Sequence, residues 1–122
     1  MSGALAGASG FVEFVCDQLR PWGGVAARRM FSGQGIYRNG TMFALVIRDT
    51  LYFRTDASNV ADFNEAGMAP FRYSRNGRTV ALGYHEVPAD VLDEADRLAA
   101  WAEKAYAAAL RRATAQPPKR RR

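Results

Sequence analysis

The 122-residue sequence holds one cysteine, Cys16, and one histidine, His85. A lone thiol closes no internal disulfide, which excludes the secreted disulfide scaffolds. One thiol and one imidazole also fall short of the three or four ligands of a zinc site unless carboxylates complete the set. The acids near enough in sequence to do so are Asp90, Asp93, Glu94 and Asp96. They cluster where a helix is predicted to start, and negative charge there serves the helix dipole. Long apolar runs are missing too, since no stretch approaches the ~20 residues of a membrane span. The opening MSGALAGASG lacks the basic start and the bulk of a secretory leader. The expectation is a soluble, cytoplasmic chain with no cofactor and no contact with a membrane.

A mass of 13.4 kDa is a one-domain size. At this length folding buries about two thirds of the chain's surface, enough for one core. The hydrophobic fraction of 48% overstates that core, because 22 of those residues are alanine. The net charge of +5 is unevenly placed. Residues 111–122 carry six basic side chains and no acid, so residues 1–110 are close to neutral. Within that body, residues 20–80 hold nine arginines against Asp49, Asp56, Asp62 and Glu65, while residues 81–110 hold six acids against Arg97 and Lys104. A basic middle beside acidic ends implies either an anionic partner or charges that complement each other within one fold or across a homodimer.

Periodicity supplies the elements. Phe11, Phe14, Val15, Cys16 and Leu19 recur at helical spacing, with Ser9 as N-cap and Pro21, Gly23 and Gly24 as the stop. Asn39-Gly40 and Asn76-Gly77 are type I′ hairpin pairs. The first joins residues 35–37 to the run 42–47, and the second joins 71–75 to 78–84. A further tight turn at Asp49-Thr50 leads into residues 51–53. The run 42–47 is apolar at both parities, so both faces of that strand are expected to be covered to some degree. In the last hairpin Phe71, Tyr73, Val80, Leu82 and Tyr84 are expected to face the core, with Arg72 pointing the other way. Asp56 or Ser58 caps a short helix carrying Val60 and Phe63, and Asp93 caps a longer one reaching about Ala113. The prediction is a two-layer α+β domain of order α-β(3)-α-β(2)-α with an antiparallel sheet. Residues 1–9 form a flexible N-terminus, 10–113 the folded domain, and 114–122 a disordered basic tail.

The string FVEFVCDQLRPWGGVAARRMFSGQGIYRNGTMFALVIRDTLYFRTD (11–56) resembles the N-terminal domain of the TfoX/Sxy family of competence regulators. ARRMFSGQGIYRNG (27–40), APFRYSRNGRTVALGYHEVP (69–88) and a closing helix with Trp101 extend the likeness over residues 10–112. The resemblance implies the same order of elements, with a fold similar to secretion chaperones. It also implies a role in regulating natural transformation, in which full-length members co-activate transcription beside a catabolite-responsive factor. Those regulators carry a C-terminal helical domain that this sequence does not include, and the family brings no catalytic residues.

No catalytic constellation is visible. Gly33-x-Gly35 begins like a dinucleotide fingerprint, but Arg38 stands where the third glycine belongs and a hairpin follows where a helix should open. Close strand approach explains these glycines better. Cys16 sits on an apolar helical stripe with nothing to ionise it. The charges that stand out are Arg28, Arg29, Arg54, Arg72, Arg75 and Arg78, with Tyr37 among them. One reading makes them a binding surface, and the other pairs them with the acidic helices. The function expected is therefore a non-enzymatic regulatory or protein-interaction domain, its partner in the transcription machinery by family resemblance, with homodimerisation as a further option. The alternative is a nucleic-acid-binding accessory protein that uses the same arginines and the KRRR tail.

Overall fold

The computed structural model describes residues 7–30 and 32–115. The expectations for residues 1–6 and for the basic tail from 116 onward lie outside the described residues. The chain runs through α1 (Gly7–Gln18), β1 (Val25–Arg29), β2 (Gly33–Arg38), β3 (Thr41–Ile47), β4 (Thr50–Arg54), α2 (Val60–Glu65), β5 (Pro70–Arg75), β6 (Arg78–Glu86), α3 (Ala89–Leu92) and α4 (Ala95–Ala115). This is an α+β fold whose six strands form one sheet in the order β1-β2-β3-β4-β6-β5. Every neighbouring pair is antiparallel.

Four strands, not three, precede α2. The additional one is β1, VAARR, which pairs with β2 from Val25↔Arg38 to Arg29↔Gln34. Alanine and arginine are poor strand formers, and β2 supplies the pairing that local preference does not. Three two-residue turns share left-handed backbone, as type I′ hairpins require. Asn39-Gly40 and Asn76-Gly77 are as expected, while the third is Arg48-Asp49, with Thr50 already in β4.

Helical caps also differ from expectation. Asn59 holds the N-cap of α2 and makes no side-chain cap bond. Asp56 instead accepts from the Ser58 amide at 2.9 Å, and the buried Asn59 carboxamide bridges the Asp56 amide and the Arg54 carbonyl. Asp93 ends the short α3, and the Glu94 carbonyl accepts the first bond of α4 from Leu98. Helix α1 begins at Gly7, so Ser9 lies inside it.

The helices cover one face of the sheet. Val12, Val15 and Leu19 of α1 meet Ile36, Phe43, Val46, Leu51 and Phe53 of the strands and Leu98, Ala102, Ala105 and Ala109 of α4 in one core. Small residues on α4 let it lie close to the sheet. The buried stripe of α1 runs through Val12, and Phe14 turns outward at 40% exposed. At one end, Trp22 packs edge-on against Phe43 at 5.3 Å and Tyr106 at 5.9 Å. At the other, Trp101 meets Phe63 at 4.8 Å.

Candidate functional site

The opposite face of the sheet is also apolar, and no element of the described chain covers it. Its origin is a β-bulge. Ile36 pairs with Ala44 and Tyr37 with Met42, so Phe43 is the extra residue of β3. An extra residue of this kind shifts the alternation by one. Phe43, Ala44 and Val46 all join the core, while Met42, Leu45 and Ile47 turn to the other side. On β4 the same alternation sends Leu51 and Phe53 inward and Thr50 and Tyr52 outward.

Phe71 and Tyr73 of β5 and Tyr84 of β6 complete this outer face. The expectation that their parity faced the core is thus corrected: these rings lie on the uncovered side. Together the strands form a trough of about 940 Å³, with Met30 and Ser32 at one end. Leu45 and Tyr84 are buried in its floor, and Met42, Ile47, Tyr52, Phe71 and Tyr73 are half-buried around them. Tyr52 meets Phe71 edge-on at 4.8 Å. Burial pushes the Tyr52 and Tyr84 phenols up from their ordinary value, with Glu86 adding to the effect at Tyr52. Both therefore remain neutral hydroxyls at physiological pH.

Arginines edge the trough. Arg28 lies over the Tyr37 ring at 5.3 Å and Arg54 over Tyr84 at 4.8 Å. Arg48 contributes directly to its lining, whereas Arg72 alternates with Phe71 and Tyr73 on β5 and acts on His85, which packs against Phe63 on the helical side. Arg29 occupies the other parity of β1 and is exposed, and Arg78 is exposed at the start of β6. Arg75 closes β5 opposite Arg78 in register. The structure thus brings Arg28, Tyr37 and Arg54 to one region and leaves Arg29, Arg72 and Arg78 outside it.

Ion pairing divides the molecule in two. Arg20, Arg38, Arg97, Lys104 and Arg111 each face a carboxylate, at Asp17, Glu103, Asp90, Asp62 and Asp56 respectively. Arg28, Arg29, Arg48, Arg72 and Arg78 have no carboxylate within 4.0 Å among the described residues. The reading in which the sheet arginines neutralise the acidic helices therefore does not hold for these five. Glu86 pairs with Tyr52 in register and acts on its phenol, and Asp49 sits beside Arg48 in the β3–β4 turn.

The remaining candidates are explained by packing. A Cβ at Gly33 would run into the Val46 carbonyl oxygen, so that glycine serves the close approach of β2 to β3. Cys16 is half-buried, and burial pushes its thiol up, away from the reactive thiolate. His85 shares a 2.9 Å hydrogen bond between its Nδ1 and the Thr55 hydroxyl, and burial together with the Arg72 charge pulls its pKa down. Among the described residues no group of three metal-ligating side chains converges, and no helix is long and apolar enough to cross a membrane.

Sequence reasoning missed Met30, Met42, Leu45, Ile47, Tyr52, Phe71, Tyr73 and Tyr84 as site residues. The available signal was the count of covers: a sheet apolar at both parities needs two layers over it, and the helices suffice for one. The TfoX N-terminal domain family matches residues 17–109, from the end of α1 well into α4. No curated protein matches the sequence.

Proposed function

The chain belongs to the TfoX N-terminal domain family, and from that premise we propose that it is a regulatory interaction domain with no catalytic activity of its own, docking a protein partner on the open face of its sheet. One observation supports this above others. The trough is lined by methionine, aromatic and aliphatic side chains, and Arg28 and Arg48, with no carboxylate within 4.0 Å among the described residues, stand around it. Methionine and aromatic residues are the side chains protein-docking surfaces favour, because they adapt in shape while excluding water. The setting proposed with it is control of competence genes in the cytoplasm, with the partner drawn from the transcription machinery; family membership supports this reading.

The test is site-specific photo-crosslinking in cells. A benzophenone side chain at Thr50, half-buried at the trough, is expected to give a discrete protein adduct. The same group at Ala100, exposed on α4, is the control on the covered side. Adducts from Ala100 alone, or from neither position, would refute docking on this face.

A further inference from the structure

We propose that the partner segment received by the trough is an acidic amphipathic helix, which completes a third layer over the sheet. This rests on the protein-docking reading above and adds the chemistry of what docks.

The argument starts from layers. A sheet that presents apolar side chains on both faces is stable when both are covered. Here α1 and α4 cover one face, and Met42, Leu45 and Ile47 floor the other. Six strands at ~4.8 Å spacing are about 24 Å across, the length of about sixteen helical residues. An incoming helix with apolar residues at i, i+3, i+4 and i+7 presents one stripe to such a floor.

Charge selects among helices. Arg28 and Arg48 stand around the trough without a carboxylate within 4.0 Å among the described residues. Acidic residues flanking the apolar stripe of the incoming helix would meet these guanidinium groups, which take carboxylates through two parallel hydrogen bonds. A second copy of this chain placed face to face would set arginine against arginine. Nucleic acid is the poorer match for two reasons. The Tyr37 and Tyr84 rings already carry the Arg28 and Arg54 guanidinium groups. In addition, Tyr52, Phe71 and Tyr73 are engaged with one another, edge-on and stacked, and Met42, Leu45 and Ile47 offer no π face on which a base could stack.

The test uses the purified full chain and three fluorescein-labelled helical peptides of about sixteen residues. All share one leucine and phenylalanine stripe and differ only in flanking residues, which are glutamate, glutamine or lysine. Anisotropy is read at low and high salt, with labelled oligothymidine as a fourth probe. The glutamate peptide is expected to bind about fivefold more tightly than the glutamine peptide, the sum of two exposed charge pairs. That preference should shrink with salt and close in an R28Q/R48Q variant whose melting temperature is unchanged. Ile47→Lys, checked for folding by its melting curve, should abolish binding of both peptides.

Equal binding of glutamate and glutamine peptides would overturn the proposal, as would preference for lysine or binding of oligothymidine alone. So would a sedimenting dimer that Ile47→Lys dissociates. If the Thr50 crosslink to a protein forms but the acidic preference is absent, this inference fails and the docking reading stands. If both are absent, both fail.

Discussion

Arg38 lies flat over Trp22, its guanidinium carbon 3.9 Å from the ring centre, and donates to the carbonyl oxygens of Gly23 at 3.0 Å and Trp22 at 3.1 Å. Tyr106 flanks the same group at 5.1 Å, and Glu103 accepts a 2.8 Å bond from the Trp22 indole. One side chain thereby joins β2, the loop after α1, and α4. Arg38→Ala should destabilise the domain by about 2 kcal/mol, from two charge-assisted hydrogen bonds and the stacked cation. Arg38→Lys should lose a large part of that, because an ammonium lacks the planar fork that serves both carbonyls and the ring. Urea denaturation measures both. Because Arg38 is on the helical side, neither change should alter docking on the opposite face, and equal stability of Ala and Lys variants would show that the fork geometry contributes nothing.

Two glycines of β2 separate folding from docking. At Gly33 a Cβ would clash with the Val46 backbone oxygen, and backbone cannot move without breaking the β2–β3 ladder. Gly33→Ala should destabilise by about 3 kcal/mol, at the upper end for overpacking. At Gly35 the nearest atoms are the Met42 sulfur at 2.7 Å and the Met30 sulfur at 3.0 Å, both on flexible side chains. Gly35→Ala should therefore be milder, below about 1.5 kcal/mol, but should push those thioethers toward the trough and weaken docking. The comparison needs one denaturation series and one binding series. A Gly33→Ala protein as stable as the parent would show that the strands are not held this closely.

The hairpins were legible in the sequence because asparagine-glycine pairs dictate their own backbone, whatever surrounds them. The open face was not, because its key residue is the extra one of a bulge. Phe43 and Ala44 are neighbours in the chain yet share a face, so no period-2 reading of residues 42–47 assigns sides. On β5 the alternation of Phe71 and Tyr73 with Arg72 was plain, but alternation says only that two faces differ. Which one meets the helices is decided by topology, through β6 lying between β4 and β5. Strand β1 escaped notice because Val25–Arg29 has little strand preference, and its pairing with β2 is a tertiary fact.

Asp56 gives the domain an acid-sensitive clasp. Its carboxylate accepts from Arg111 Nε at 2.9 Å, and from the Ser58 hydroxyl at 2.6 Å and amide at 2.9 Å. The Arg111 hydrogen bond, helped by those from Ser58, holds its pKa at about 2 against an ordinary 3.8. A folded-state value below the unfolded one stabilises the fold above the unfolded value and is lost as pH falls through the folded one. The stability difference between parent and Asp56→Asn should be full above pH 3.8 and close as the pH approaches about 2. Thermal melts across that range test it, and a difference that stays constant down to the lowest pH would exclude the ionised carboxylate as its source.

The β3–β4 turn sets stability against docking. Arg48 and Asp49 both take left-handed backbone, with φ of 51° and 62°, where an arginine is out of place. The strain at a non-glycine residue there is about 1 kcal/mol, and Asn-Gly is the pair the turn prefers. Asp49→Gly should stabilise the domain by about 0.5–1 kcal/mol and leave docking of an acidic helix intact, since it removes a negative charge from the turn. Arg48→Asn should also stabilise, yet weaken that docking, because Arg48 is part of the trough's lining. A residue kept in strained backbone where a relaxed one is available is what a binding position predicts, since stability is given up there for contact. Melting temperatures and peptide affinities of the two single variants decide the matter. If Arg48→Asn gains stability with no loss of binding, the strain at this turn has no part in docking.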